Sequence, residues 1–130
     1  MPGNVKFEYD SKRNIVFTED HWEIKTREDV DVFFAEYLNY FRALGKKAYM
    51  ISNIDDLRVH AEIVEYYGET ARSTIEEYLL GFARYGTKDL ARMTVRTSSL
   101  KARLPSNIYS TREAAVQAIE EMKKSEHRES

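Results

Sequence analysis

Cysteine is absent from this chain, which excludes disulfides and thiolate chemistry of its own. No run approaches the roughly 20 apolar residues that a membrane helix needs, so membrane insertion is not expected. The opening Met1-Pro2-Gly3-Asn4-Val5-Lys6 lacks the charged-then-apolar order of a secretory signal, and the cytoplasm is the expected address. An excess of charge of one sign is lacking too. A formal net charge of −2 gives no overall attraction to nucleic acid, and no nucleic-acid-binding motif is present. There are no repeats, linkers or low-complexity tracts, and no catalytic signature. The chain therefore reads as a non-enzymatic domain with no cofactor.

What is present suits one packed core. The 130 residues fall within the usual size of a single domain, and 42% apolar with 12% aromatic residues is too rich for disorder. A domain over residues 1–122 is expected, followed by a polar tail, 123–130, that frays.

Val5, Phe7 and Tyr9 alternate with Lys6 and Glu8, the period of a half-buried strand, and residues 10–14 supply turn chemistry. Ile15, Val16 and Phe17 begin a second strand, which His21-Trp22-Glu23-Ile24 continues beyond an acidic interruption at Glu19-Asp20. An antiparallel hairpin follows. Thr26 has the look of an N-cap with Asp29 three residues on. Val30, Phe33, Phe34, Tyr37, Leu38, Phe41 and Leu44 then recur at helical spacing until Gly45. Each of these side chains, if buried, contributes roughly 1.5–3 kcal/mol before entropy, so this helix should anchor the core.

The run Lys47-Ala48-Tyr49-Met50-Ile51-Ser52-Asn53-Ile54-Asp55-Asp56 reads as a buried central strand ending in acidic residues. Beyond it, Ile63, Val64, Tyr67, Ala71, Ile75, Tyr78, Leu79 and Phe82 keep a helical period up to Tyr85. Gly68 should kink this helix or split it, leaving residues 69–85 the longer part. Residues 91–96 alternate again and predict a strand with Met93 and Val95 inward. Residues 98–104 resemble a short helical turn opened by Ser98 and Ser99, and Pro105-Ser106-Asn107 precedes a short strand at Ile108-Tyr109. A last helix opens at Thr111 and runs to Met122. The expected architecture is α/β: a mixed sheet of about five strands, mostly parallel after an N-terminal antiparallel hairpin, covered by helices.

That order, with Ile51-Ser52-Asn53-Ile54-Asp55 and the closing Asn107-Ile108-Tyr109-Ser110-Thr111-Arg112-Glu113-Ala114-Ala115, resembles the STAS fold of anti-sigma-factor antagonists. It is similar in particular to the bacterial STAS-like proteins of CRAL-TRIO-like topology, over nearly the whole chain. The resemblance implies a fold used for regulatory protein contacts and, in lipid-carrier relatives, for apolar ligands. STAS antagonists are switched by phosphorylation of a serine where the helix after the central strand begins. The matching Asp55-Asp56-Leu57-Arg58-Val59-His60 has no serine or threonine, so that switch does not carry over; Ser52 is still at the strand end.

Three candidate sites follow. The loop after the central strand, with Ser52, Asn53, Asp55, Asp56, Arg58 and His60, is the expected interaction surface. Its carboxylates with His60 and Glu62 have the donor types for a divalent metal, but the plainer reading is that Asp55 or Asp56 caps the next helix while His60 stays exposed. An acid–base pair of His21 and His60 would need the hairpin to reach this loop. Second, cations crowd residues 84–112, and Arg92 and Arg96 with the turn at Ser98 and Ser99 could form an anion site. The competing reading pairs those arginines with Glu69, Glu76 or Glu77. Third, Tyr40 and Tyr66 fall off the apolar stripes and suggest homodimer anchors. In the alternative reading, a small apolar ligand would be lined by Tyr67, Ile75, Leu79 and Phe82, although a chain this short gives up needed packing to hold a large one. The leading expectation is a regulatory protein-interaction domain.

Overall fold

The computed structural model describes residues 3–129, with side chains through Glu126; Met1, Pro2 and Ser130, at the ends of the expected domain and tail, lie outside the described residues. The hairpin pairs β1 (Asn4–Asp10) with β2 (Ile15–Ile24), antiparallel, with Asp10 opposite Ile15. Asp10 Oδ1 accepts from the Lys12 and Arg13 amides, and Asn14 takes a positive φ of 57° in the turn. β2 is continuous through Glu19 and Asp20. The expected acidic interruption is instead a part of the strand in which Asp20 turns inward.

Thr26 caps α1 (Arg27–Leu44) through a complete capping box with Asp29, and Gly45 ends it with φ 76°. Val30, Phe33, Phe34, Tyr37 and Phe41 are buried as their spacing predicts. β3 (Ala48–Asn53) follows, parallel to β2. Leu57–Val59 is a short strand, β4, on the far end of β2 opposite Trp22–Ile24, rather than the start of a helix. A single 3₁₀ turn over Ala61–Ile63 leads into α2 (Val64–Tyr78).

Three expectations fail here. The long helix stops at Tyr78, and Leu79–Tyr85 is strand β5, parallel to β3. Residues 91–96 are not a strand but lie within helix α3 (Asp89–Lys101), which leaves Val95 buried and Met93 exposed. Short segments of mixed apolar and polar residues fit either period, and tertiary packing decides between them. Gly68 does not split α2, which is one helix from Val64 to Tyr78: an added Cβ would lie 2.3 Å from the Ser98 carbonyl oxygen, so the glycine permits α2 and α3 to approach.

β6 (Ile108–Tyr109) extends the sheet beside β5, and α4 (Arg112–Glu129) closes the chain. Residues 123–129 continue this helix rather than forming a separate tail: Tyr49 Oη donates to Glu126 at 2.6 Å, and Lys123 Nζ donates to the Arg13 carbonyl. The sheet order is β1-β2-β3-β5-β6 with β4 paired to β2, so the protein is α/β with a mixed sheet of six strands and four α-helices. Alternation divides the core. Val16, Met50 and Phe82 pack in the layer with α1, α2 and Val95 of α3, whereas Ile15, Phe17, Tyr49, Ile51 and Ala83 pack with Ala115 and Ile119 of α4.

Candidate functional site

The 52–60 loop is held at nearly every polar group. Asn53 Oδ1 accepts from the Asp55 amide at 3.0 Å, and Ile54 is buried. Asp55 caps no helix next in sequence. Its Oδ1 accepts from the Thr87 and Lys88 amides at 2.7 and 3.1 Å, placing a carboxylate before the N-terminus of α3. Asp56 Oδ2 meets His21 Nδ1 at 2.8 Å, and His60 Nε2 meets Glu23 Oε2 at 2.8 Å, so β2 does reach this loop. His60 holds Glu23 below the usual carboxylate range. His21 thus faces Asp56 and, at 3.7 Å, Glu19, while His60 faces Glu23, and among the described residues no three His, Asp or Glu side chains gather to hold a metal. Arg58 is exposed.

The anion site expected at Arg92, Arg96, Ser98 and Ser99 does not form. Ser98 and Ser99 are buried in the last turns of α3, where carbonyl groups rather than amides are unpaired, and no helix opens there. Ser98 Oγ donates to the Val95 carbonyl at 3.0 Å, and Ser99 Oγ accepts from Arg84 at 3.2 Å. On α3 Arg92 is half-buried and Arg96 exposed, and among the described residues neither forms an ion pair; Glu76 pairs with Arg72 instead, at 2.8 Å.

A buried polar cluster went unrecognised in the sequence. Register aligns Thr18 of β2, Ser52 of β3 and Arg84 of β5 in one row across three parallel strands, and Asp20 stands two residues further along on the same face. In β3 and β5 this row lies toward the carboxyl ends of the strands, where α/β proteins place their sites. Tyr37 descends from α1 and Tyr67 from α2. Asp20 and Arg84 are only 4% and 5% exposed. Tyr37 Oη donates to Asp20 and lies 3.0 Å from Thr18 Oγ1, which donates to Ser52 Oγ at 2.8 Å. Arg84 Nη1 donates to Ser99 Oγ and, at 2.9 Å, to the Ser106 carbonyl, and its guanidinium lies 4.8 Å from the centre of the Phe82 ring.

Burial dominates the electrostatics. It raises Asp20 from the ordinary 3.8 to about 7, against the lowering effects of the Tyr37 hydrogen bond, Arg84 and His21. It pushes the Tyr37 and Tyr67 hydroxyls well up, aided by Asp20, and pulls Arg84 down. Among the described residues Arg84 and Asp20 form no ion pair with each other or with any other group. Both line a cavity of about 30 Å³, together with Tyr37, Ser52 and Tyr67. Of the side chains expected around an apolar ligand, Tyr67, Ile75 and Leu79 do line it; Phe82 packs in the adjoining core under Arg84. A volume of this size holds one or two waters and no acyl chain.

A second feature lies outside. Leu90 and Met93 of α3 are 50% and 57% exposed, and with Arg58, Val59 and His60 of the β4 edge they line an open apolar groove of about 290 Å³. The two tyrosines expected as dimer anchors are occupied within the chain. Tyr40 stacks on Phe7 with ring centres 4.3 Å apart, and Tyr66 donates to Asp31 at 2.6 Å beneath Arg27.

No family model matches the chain, and no curated protein matches it in sequence.

Proposed function

We propose that this protein is a non-enzymatic, STAS-like regulatory domain that works by binding another protein, and that the partner seats on the groove between α3 and β4. The observation that carries this reading is the exposure of Leu90 and Met93 in a groove lined also by Arg58 and His60. Large apolar side chains grouped in a groove with a polar rim are typical of a protein contact, and the exposed Arg58 at its edge favours an acidic segment bearing an apolar anchor. The groove includes the outer residues of the loop expected to be the contact surface, Arg58 and His60, whereas Ser52, Asn53 and Asp55 serve the fold beneath it. A homodimer through Tyr40 and Tyr66 has less to support it, since both rings are held internally.

The test is a photo-crosslinking residue placed at Met93 and, as a control, at Lys124 on the α4 side, in cells of the native host. A discrete adduct from position 93 that is lost in Arg58→Glu supports the proposal. Absence of an adduct, or one indifferent to charge reversal, removes it. An adduct of twice the chain mass would make the partner a second copy.

A further inference from the structure

The sheet ends in two unlike edges. β6 is two residues long and follows Pro105, the short form in which exposed edges are usually kept from pairing. β1 is seven residues long, contains neither proline nor glycine, and pairs on one side only, with β2. The direction of its peptide groups follows from β2. The Tyr49 amide donates to the Asn14 carbonyl and the Trp22 amide to the Asp56 carbonyl, so even-numbered residues of β2 turn their peptide groups toward β3 and β4, and odd-numbered ones toward β1. Lys6 and Glu8, opposite Glu19 and Phe17, therefore bond to β2, whereas Val5, Phe7 and Tyr9 present their amides and carbonyls to the open edge. Among the described residues no other backbone group bonds to these amides and carbonyls.

We propose that β1 is a dimer edge: two copies of this chain pair their β1 strands antiparallel about Phe7 and join their sheets into one. The charges select a second copy as the occupant. With Phe7 opposite Phe7, Val5 faces Tyr9, an aromatic and β-branched pair, and Lys6 faces Glu8. Lys6 and Glu8 then occupy the non-hydrogen-bonded positions, where opposed side chains stand closest, and form an ion pair on each side of the centre. Both side chains are exposed. Among the described residues Lys6 forms no ion pair, and Glu8 forms only a long one with Arg112, at 3.8 Å. Sliding one strand by two residues, the smallest step that keeps the outward groups opposed, sets Lys6 against Lys6 or Glu8 against Glu8. The strand thus complements itself in one register. The two-fold axis stands perpendicular to the sheet, so Val5, Phe7 and Tyr9 of both copies share the face that carries α1, where each is only half-buried within its own chain. Pairing covers that remaining apolar surface. The contact shares no residue with the groove between α3 and β4, so the chain can hold a different partner there at the same time.

The test is sedimentation velocity on the full chain over a range of concentrations, together with Lys6→Glu and Glu8→Lys, both at exposed positions. The parent should dimerise. Each single variant sets like charges opposite one another twice and should weaken the dimer by about tenfold or more. Mixing the two variants should restore dimers, because the acidic positions of one strand then face the basic positions of the other. Hydrogen exchange reads the register: on dimerisation the amides of Val5, Phe7 and Tyr9 should slow, whereas those of Lys6 and Glu8, already bonded to β2, should not. A parent that stays monomeric at millimolar concentration overturns the proposal and leaves the edge to a strand of another protein. A dimer indifferent to both charge reversals, or one that the mixture fails to restore, overturns it as well.

Discussion

Replacing Asp20 with asparagine isolates the cost of a buried carboxyl. The amide has the same shape, and its oxygen can accept the Tyr37 hydroxyl in place of Asp20 Oδ1. In the folded protein Asp20 titrates at about 7 rather than 3.8, so between those values the native state holds a proton that the unfolded chain has released. Stability from this group is therefore full below the unfolded value and is lost as pH rises through the folded one. The whole displacement is worth roughly 4 kcal/mol, of which about 3 kcal/mol falls between about pH 4.5 and pH 8. Glu23 and Asp29, held below their ordinary values, push the other way, but they are common to both proteins and cancel in the difference. Urea unfolding of the two chains across this range should show Asp20→Asn gaining on the parent by about 3 kcal/mol as pH rises. A difference that stays flat with pH would refute the reasoning, because it would mean that Asp20 is ionised in the native state at low pH.

Gly68→Ala adds about 1 kcal/mol of helix propensity but forces a Cβ against the Ser98 carbonyl, so a net loss of about 1–2 kcal/mol is expected in urea unfolding. A more stable variant would show that α2 and α3 are not in close contact. Thr26→Ala removes the side-chain half of the α1 capping box, 3.1 Å from the Asp29 amide, and should cost about 1 kcal/mol, measured the same way. Asp55→Ala leaves the Thr87 and Lys88 amides without their acceptor. It should cost about 1–2 kcal/mol and raise hydrogen exchange at the start of α3 before that of α1.

The hairpin, α1 with both its caps, β3, β6 and α4 were legible because each combines a clear period with its own stop signal: Asp10-to-Asn14, Thr26 and Gly45, the acidic end at Asp55, Pro105, and Thr111. Residues 79–85 and 91–96 were not. Leu79 and Phe82 satisfy a helical spacing as well as a strand, and no glycine or proline marks the break after Tyr78; β5 forms there because pairing with β3 is available across the sheet. The site shows the same division. Val16, Thr18, Asp20, Trp22 and Ile24 share one face of β2 by simple alternation, so an acid on an apolar face was already present as a signal. That Asp20 would meet Arg84, Ser52, Tyr37 and Tyr67 was not, since those residues lie 17 to 64 positions away in sequence.

By itself the sequence determined the class of fold and the absence of cysteine chemistry, since composition and periodicity are local properties that each segment carries with it. Only the tertiary structure decided which strands pair, that Asp55 binds the amides leading into a distant helix, and that an acid and a base from strands two apart share one small cavity. Those outcomes depend on sheet order and register, which are set by long-range packing and are written in no single stretch of chain.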